Sequence, residues 1–377
     1  MTKHATLSAS SAERWLHCPP SARLNEKVAD FASEYAREGS EAHALCEFRL
    51  KLALGMETED PIPDLSMYSQ EMEDAAEQYV DRILEILEEV RKITPDLAVL
   101  IEQRLDFSDY VPGGFGTADC VILADKTLHL FDMKYGTGVL VDAKENPQLM
   151  LYALGCLQLF DSIYDFDEVR MTIIQPRRDN YSSFTMKKED LYKWADETVR
   201  PIAALAFDGK GDFRAGDWCR FCKVKATCAK RAEVNLELAK LEFARPPLLS
   251  DTEIEEILGQ LDELTSWAND IKDYALTAAK SGKKWLGFKL VEGRSNRKYL
   301  DDVKVAQAVE QAGFDPYEKK LLGITAMTSL LGRKQFSEIL GDLVIKPQGK
   351  PTLVPDSDKR PEMTTILDEF KEETTHE

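Results

Sequence analysis

Residues 113–134 read GGFGTADCVILADKTLHLFDMK, and this stretch decides the fold class. Its two runs rich in β-branched and aromatic residues, TADCVILAD and TLHLFDM, flank the turn Ala124-Asp125-Lys126, which predicts a hairpin of two antiparallel strands. AVLIEQRLDF, residues 98–107, precedes them as another predicted strand. The sequence here therefore predicts a meander of three antiparallel strands.

A helix and a further strand follow the meander. NPQLMLYALGCLQLF predicts a helix opened by Asn146, with Pro147 at its first position. EVRMTIIQP, residues 168–176, has the β-branched content of a buried strand. The order helix, three strands, helix, strand predicts an α/β fold around a mixed central sheet.

Helical patterns dominate both ends of the chain. Residues 11–54 and 67–92 predict N-terminal helices, and residues 189–207 and 252–279 predict helices after the sheet. One β-like run, GFKLVEG at 287–293, stands among short C-terminal helices. Five segments result: an N-terminal helical region (1–95), a core (96–208), a cysteine segment (209–235), a helical C-terminal region (236–345) and an extended or disordered tail (346–377).

Composition and charge exclude several classes of protein. The 377 residues are 44% hydrophobic, which excludes a disordered or collagenous chain. Acidic side chains outnumber basic ones by 67 to 48 and give a net charge of −19, so any nucleic-acid contact needs a local basic surface. No apolar run reaches the roughly 18 residues of a membrane span, and the first residues lack a signal-peptide core. A cytoplasmic protein without membrane contact is expected.

Two carboxylates and a lysine converge on the predicted hairpin. Asp132 and Lys134 share one face of a strand, and Asp119 on the preceding strand meets Asp132 across the pair. Carboxylates at a sheet edge suit Mg²⁺ or Mn²⁺, and the lysine can orient an attacking water. Taken alone, Asp-x-Lys is also typical of an exposed ion pair. An apolar strand would not place Asp132 after Phe131 without a partner, because an unpaired buried carboxylate is costly.

Four short motifs in chain order resemble the RecB-like branch of the PD-(D/E)XK nuclease superfamily. They are Gly39-Ser40-x-x-His43-x-x-x-Glu47, Gly116-x-x-Asp119, Asp132-x-Lys134 and Gln148-x-x-x-Tyr152. The resemblance covers residues 10–235. It implies a restriction-endonuclease-like core, a mixed central sheet flanked by helices, with N-terminal helices and a mainly helical C-terminal extension.

The resemblance also implies a role for each motif residue. The metal, Mg²⁺ or Mn²⁺, would be held by His43, Asp119, Asp132 and the main-chain oxygen of Met133. The catalytic set would be Asp119, Asp132, Lys134, Gln148 and Tyr152. In this set the lysine assists the nucleophilic water, while Gln148 and Tyr152, which share a helix face, contact the DNA strand.

Three residues near the motifs keep a second interpretation. His43 on an amphipathic helix is often an interior histidine rather than a ligand. Tyr152 on an apolar helix is usually a core residue. Glu102, inside AVLIEQRL, is either an additional acidic member of the site or an outward strand residue.

The seven cysteines are odd in number and unevenly spaced, which suits a reducing compartment with a metal site better than a disulfide framework. Cys219-x-x-Cys222-x5-Cys228 places three within ten residues. The fourth ligand is not local, and Cys18 is favoured because Pro19-Pro20 fix a loop beside it, with His17 as another candidate. The remaining cysteines lie at apolar positions and are predicted to be small buried hydrophobes: Cys46, Cys120 and Cys156.

One upstream cysteine with this downstream triplet resembles the iron-sulfur staple of AddB and CRISPR spacer-processing nucleases. The resemblance implies a [4Fe-4S] cluster on Cys18, Cys219, Cys222 and Cys228. A structural Zn²⁺ on the same four thiolates is the alternative, because ligand softness allows both metals.

Two basic windows interrupt the acidic chain and are candidate DNA-binding surfaces. The first spans 214–231 and supplies the predicted DNA contacts Arg220, Lys223 and Lys225, beside Gln148 and Tyr152. The second spans 283–298, and neutralisation of neighbouring acidic helices explains it nearly as well. C-terminal phrases such as KLVEGRSNRKY resemble an uncharacterised family of phages and prophages, which implies a bacterial host and a phage single-strand-binding protein as partner.

These patterns predict a metal-dependent deoxyribonuclease, an exonuclease or DNA-end-processing enzyme of phage replication or recombination, which hydrolyses phosphodiester bonds through a metal-bound water. An inactive nuclease fold that binds DNA or assembles recombination proteins is the alternative. A zinc-stapled scaffold without nucleic-acid contact is a third possibility. Digestion polarity, strand preference and oligomeric state do not follow from the sequence.

Overall fold

Five strands form one mixed sheet in the computed structural model, which describes residues 5–28, 34–240, 251–292, 299–317 and 321–345. The strands lie in chain order, β1-β2-β3-β4-β5, and only β3 and β4 are parallel. Their bounds are β1 Ala98–Asp106, β2 Phe115–Ala124, β3 Thr127–Met133, β4 Glu168–Gln175 and β5 Asn180–Lys187. The predicted α/β class and mixed sheet are confirmed, and β5 is an edge strand that the sequence reasoning missed.

Helices flank this sheet and fill the rest of the described chain. In chain order they are α1 Ala12–His17, α2 Ser21–Glu26, α3 Glu34–Ala53, α4 Gln70–Arg91, α5 Pro147–Tyr164, α6 Lys188–Trp194, α7 Arg200–Asp208, α8 Ala229–Lys240, α9 Asp251–Lys280, α10 Asp302–Gln311 and α11 Ile324–Leu340. A π-helical turn, Ala195–Val199, joins α6 to α7. The long helices predicted at 67–92 and 252–279 correspond to α4 and α9.

The sheet carries a hydrophobic core on each face, because alternate strand residues point to opposite sides. On β3, Leu128 and Leu130 pack with α1, α5 and α7, whereas Phe131 and Met133 pack with α3 and α4. We call these the α5 core and the α3–α4 core. The sheet therefore lies between two layers of helices, and the end of β3 is in the middle layer.

The chain divides into two compact units, Met1–Ser281 and Gly282–Glu377. The second contains α10 and α11.

The strand predicted at GFKLVEG is wrong for the described residues 287–292, which form no strand, and Gly287 has a φ of +82°. The predicted tail, 346–377, lies outside the described residues, and the five-segment division stays a prediction. Among the helices that the structure describes, none combines the length and apolar character needed to cross a membrane.

Candidate functional site

Five elements of the first unit bring the motif residues and Glu102 to one place, at the end of β3 and beside the middle of β1 and β2. Helix α3 contributes a histidine, β1 and β2 one carboxylate each, the end of β3 a carboxylate and a lysine, and the first turns of α5 an amide and a phenol. In that order the residues are His43, Glu102, Asp119, Asp132, Lys134, Gln148 and Tyr152.

A compact group of potential metal ligands lies on the α3 side of this place. One ligand atom from each of His43, Glu102 and Asp119 lies within 4.8 Å of the other two, and all three residues are half-buried. His43 Nδ1 is 3.2 Å from Asp119 Oδ1. The other carboxylate oxygen, Asp119 Oδ2, accepts a 2.6 Å hydrogen bond from the Met133 backbone N–H. Asp119 therefore links the histidine to the backbone of β3.

Glu102 reaches this group through a break in the β1–β2 ladder. Ile101 pairs with Cys120 and Gln103 with Ala118, so Glu102 lies opposite Asp119, but these two residues form no ladder pair. Glu102 has a φ of +51°, a left-handed conformation that non-glycine residues rarely adopt. Strained backbone of this kind often lies at functional sites.

The break also reverses the side-chain alternation of both strands. On β1, Ile101 packs against the α3–α4 core, yet Leu105, four residues later, belongs to the α5 core. On β2, Cys120 lies in the α3–α4 core and Ala118 in the α5 core, although strict alternation would place them on one side. Both strands change face at the Glu102–Asp119 position, which frees these two carboxylates from the regular pleat.

The three ligand groups perturb one another's protonation. The Asp119 charge outweighs burial and raises the pKa of His43 to about 9. Burial opposes ionisation of Asp119, but His43, the Met133 N–H and Lys134 hold the pKa of its carboxyl below the usual value. Burial, with the charges of Asp119 and Glu47, raises the pKa of Glu102 to about 7. A cation bound in place of the His43 proton would compensate the negative charges of Asp119 and Glu102.

Asp132 and Lys134 form a second group on the α5 side. Lys134 Nζ lies 2.8 Å from Asp132 Oδ2 and donates to Gln148 Oε1 at 2.9 Å. Gln148 Nε2 donates to Asp132 Oδ1 at 2.9 Å and to the Tyr152 hydroxyl at 3.2 Å. The amide thus holds the carboxylate and the ammonium in one fixed arrangement, which we call the Asp132 network.

The second oxygen of the Asp132 carboxylate contacts the lysine. Asp132 Oδ2 is buried and lies 2.8 Å from the Lys134 ammonium. Burial raises the pKa of this carboxyl, the Lys134 charge opposes the rise, and the Asp119 charge adds to it. Because a carboxylate oxygen has more than one lone pair, Asp132 Oδ2 can also act as a cation ligand.

Local sequence features explain why α5 presents its residues here. Asn146 caps the helix, its Oδ1 accepting from the backbone N–H groups of Gln148 and Leu149 at 3.1 and 3.3 Å. Gly116 of the predicted motif lies against the Tyr152 ring, since a Cβ at this position would be 2.6 Å from Tyr152 Cε1. The glycine is needed for this close approach rather than for an unusual φ.

The four predicted cluster cysteines line one pocket, although about 200 residues separate Cys18 from the triplet. Cys18, Cys219 and Cys222 are buried, and Cys228 is half-buried. No three of these sulfurs, all within the described ranges, lie within 4.8 Å of one another. A tetrahedral ZnS₄ site, with Zn–S bonds of about 2.3 Å, requires sulfurs about 3.8 Å apart.

His17, the other candidate for the fourth ligand, is not among the residues that line the cysteine pocket, although the ring it stacks on is. His17 stacks on Trp218 with ring centroids 4.2 Å apart. The remaining cysteines pack in the two hydrophobic cores, where burial raises the pKa of each thiol, and their prediction as small buried hydrophobes is confirmed: Cys46, Cys120 and Cys156.

The basic windows are only partly exposed. Arg220 and Lys223 lie at the surface, whereas Lys225 Nζ forms a 2.7 Å ion pair with Asp270 on α9. Arg231 of the same window is fully buried and pairs with Glu263 and Asp270, so its place in a DNA-binding surface is wrong. In the second window Lys283 lies over the Trp285 ring, and residues 294, 297 and 298 lie outside the described residues.

Sequence reasoning missed two polar residues beside the cysteine pocket. Arg14 lines the pocket, and Asn25 donates from Nδ2 to Cys222 Sγ at 3.3 Å. In the sequence, the one feature that could have pointed to Arg14 and Asn25 is that both lie within a few residues of Cys18, in RWLHCPPSARLN.

Fold and site together define an α/β protein with a mixed five-stranded sheet and a His/Glu/Asp group suited to a cation. The sequence model of the family described as "Protein of unknown function (DUF2800)" matches residues 4–361, and the chain belongs to this family. A solved structure titled "Crystal structure of SSO0001" matches 49% of this chain and 94% of that chain, with 15% identity and a TM-score of 0.22. A TM-score this low defines no shared fold.

Proposed function

We propose that this protein is a metal-dependent DNA nuclease with a RecB-like PD-(D/E)XK core, acting as an exonuclease or DNA-end-processing enzyme. The observation that carries the proposal is the Asp132 network beside the His43, Glu102 and Asp119 group. A protein that only binds DNA gains nothing from converging carboxylates, because they repel phosphate.

The donor set fits a hard divalent cation. Carboxylate oxygens and one imidazole nitrogen suit Mg²⁺ or Mn²⁺, and the buried Asp132 carboxylate offers a further oxygen. The residues that would hold the ion are His43, Glu102, Asp119, Asp132 and the main-chain oxygen of Met133. When bound, such an ion supplies charge neutralisation for the phosphodiester and acidification of water.

The chain's own residues position the reacting groups. Lys134, held by Asp132 and Gln148, carries a positive charge and N–H donors at the edge of the site, where it orients the attacking water and stabilises charge that develops on the phosphate. Tyr152 is only 6% exposed and receives a hydrogen bond from Gln148. We therefore assign Tyr152 to positioning Gln148, and Gln148 to contact with the DNA strand.

DNA is held locally, because the whole chain carries a net charge of −19. Arg220 and Lys223 are exposed, as is Arg214 of the same basic window, and they are the proposed phosphate contacts. Lys225 contributes less, since its charge is neutralised by Asp270.

The same protein would carry a metal centre on Cys18, Cys219, Cys222 and Cys228. The shared pocket supports a common centre. The preference for a [4Fe-4S] cluster over a single Zn²⁺ rests on the sequence resemblance, because thiolates bind both. Such a centre would tie the N-terminal helices to the segment after the sheet. Iron and zinc analysis of anaerobically purified protein decides between the two metals.

The test of the nuclease is digestion of 5′- and 3′-labelled single- and double-stranded DNA over a titration of Mg²⁺ and Mn²⁺. Wild-type protein should cleave only with metal, and Asp132→Asn, Glu102→Gln and Lys134→Met should each lose at least a factor of about 100. Lys92→Met, at the exposed end of α4, is the matched control and should cleave normally. Metal-independent DNA binding without cleavage would refute the enzyme and favour the binding-module alternative.

A further inference from the structure

Two polar side chains from the N-terminal helices reach the cysteine pocket, and neither belongs to the proposed ligand set. Arg14 lies on α1 and lines the pocket. Asn25 lies on α2 and contacts Cys222. Helices α1 and α2 flank Cys18, so the segment that supplies the upstream ligand also supplies both side chains.

Asn25 is buried, at 5% exposure, and its amide uses both ends. Nδ2 donates to the Ser21 carbonyl at 2.7 Å and to Cys222 Sγ at 3.3 Å, while Oδ1 accepts from the Lys223 backbone N–H at 2.7 Å. An N–H donor favours an ionised sulfur over a thiol. An aspartate would keep the acceptor but lose this donor, and a leucine would lose both.

Arg14 brings a positive charge to the same sulfurs. Its Nη1 donates to the Ser21 carbonyl at 3.0 Å and to Ser21 Oγ at 3.3 Å, so its hydrogen-bond partners are neutral. Among the ion pairs formed by the described residues, none includes Arg14. Burial lowers the pKa of the Arg14 guanidinium, and negative charge on Cys222 and Cys18 opposes this fall. A half-buried cation with neutral partners is unfavourable until an anion compensates it.

We propose that Arg14 and Asn25 stabilise a negatively charged metal–thiolate centre in this pocket. Four thiolates around a core of charge +2, either Zn²⁺ or [4Fe-4S]²⁺, leave a net charge of −2. Arg14 offsets part of this charge, and Asn25 fixes Cys222 in its ligand orientation. Both are positioning residues, since they act through the sulfurs. The inference rests on the proposed four-cysteine centre and is independent of the nuclease chemistry.

The two side chains have separable effects on the centre. Loss of a residue that contacts a metal ligand typically changes metal affinity by about 10- to 100-fold. Loss of either side chain should therefore weaken metal binding by a factor in this range, which is measured as faster release of the metal to a chelator. If the centre is an iron-sulfur cluster, reduction adds a further negative charge. Removal of Arg14 should then shift the reduction potential to more negative values.

The experiment uses full-length protein purified anaerobically, with wild type, Arg14→Met, Arg14→Lys and Asn25→Asp. Absorbance near 400 nm, iron and zinc content, the rate of metal loss to EDTA and, for iron, the reduction potential are measured. Arg37→Met, an exposed substitution on α3, is the control. Thermal unfolding shows which variants fold; if Arg14→Met does not, Arg14→Lys and Asn25→Asp decide the question.

Support requires fast metal loss in Arg14→Met and Asn25→Asp, and near wild-type retention in Arg14→Lys and Arg37→Met. Folded Asn25→Asp and Arg14→Met with wild-type retention and potential would overturn the inference while leaving the four-cysteine centre in place. Wild-type protein without iron or zinc would overturn the centre and the inference together. DNA cleavage by that same metal-free preparation would leave the proposed nuclease standing.

Discussion

Lys134→Met tests whether the Asp132 network is a coupled unit. The side chain of Asp132 is 3% exposed and that of Lys134 27%, and their charged atoms lie 2.8 Å apart. Removal of one partner from a fully buried ion pair typically lowers the free energy of unfolding by about 3 to 5 kcal/mol, because the other charge stays buried without compensation. Lys134 is partly exposed and the Gln148 amide still donates to Asp132, so we expect a loss of about 2 to 3 kcal/mol.

The companion variant Asp132→Asn/Lys134→Met removes the stranded charge. Asparagine keeps an oxygen that can accept from Gln148 Nε2, so the double variant should recover to within about 1 kcal/mol of wild type. Chemical unfolding at pH 7 with EDTA measures all four proteins of the cycle. Cleavage assays with Mg²⁺ should show no activity in either variant. The double variant regains stability because no buried charge lacks its partner, but it has lost the carboxylate and the ammonium that the proposed reaction needs.

Two results would contradict this account. If Lys134→Met is as stable as wild type, the pair contributes no coupling and the arrangement around Gln148 is not a unit. If the double variant is as unstable as Lys134→Met, the loss comes from the lysine's own packing rather than from the stranded carboxylate.

Three further predictions concern the surrounding structure. Gly116→Ala should lower the free energy of unfolding by about 1 to 3 kcal/mol by pushing a methyl group into Tyr152, and a thermal shift that vanishes in a Tyr152→Ala background would confirm the contact. Asn146→Ala should lower the free energy of unfolding by about 1 kcal/mol and weaken cleavage, since the cap positions Gln148; unchanged melting would contradict it. Burial lowers the pKa of His129 in the folded protein from 6.5 to about 4. Between these two pH values the unfolded chain therefore binds a proton at His129 that the folded protein does not bind. From pH 7 to 5 wild type should lose about 2 kcal/mol more than His129→Gln in urea unfolding, and parallel pH profiles would refute the shift.

The convergence of Asp119, Asp132 and Lys134 could be predicted because it depends on local rules. A short turn at 124–126 fixes the register of β2 and β3, with Cys120 opposite Phe131. Continued by one residue beyond the ladder, that register sets Asp119 opposite Asp132, and the period of two puts Lys134 on the same side as Asp132. Local geometry was sufficient for these three residues.

The position of Glu102 could not be predicted in the same way. AVLIEQRL has the pattern of an ordinary strand, and nothing in it marks a left-handed residue. The break arises from the packing of Ile101 and Leu105 into cores on opposite faces of the sheet, which depends on elements distant in sequence. Tertiary packing here overrides the local alternation.

Strand assignments failed where pairing, rather than composition, decides the structure. NYSSFTMK is largely polar, yet residues 180–187 pair with β4 along their whole length as an edge strand. GFKLVEG has a better strand composition, but residues 287–292 have no pairing partner among the described residues. A strand is stable only when a neighbour satisfies its backbone hydrogen bonds.

The long-range contacts of α1 and α2 have a consequence for synthesis. Arg23 Nε donates to the Phe207 carbonyl and the Lys223 N–H donates to Asn25, across 184 and 198 residues of sequence. At about 5 to 20 residues per second, a ribosome needs roughly 10 to 40 s to make the intervening chain. Leu7 and Trp15, fully buried in the folded protein, belong to the α5 core, so their burial also requires later parts of the chain. These contacts of α2 can therefore form only after all five strands of the sheet have been made.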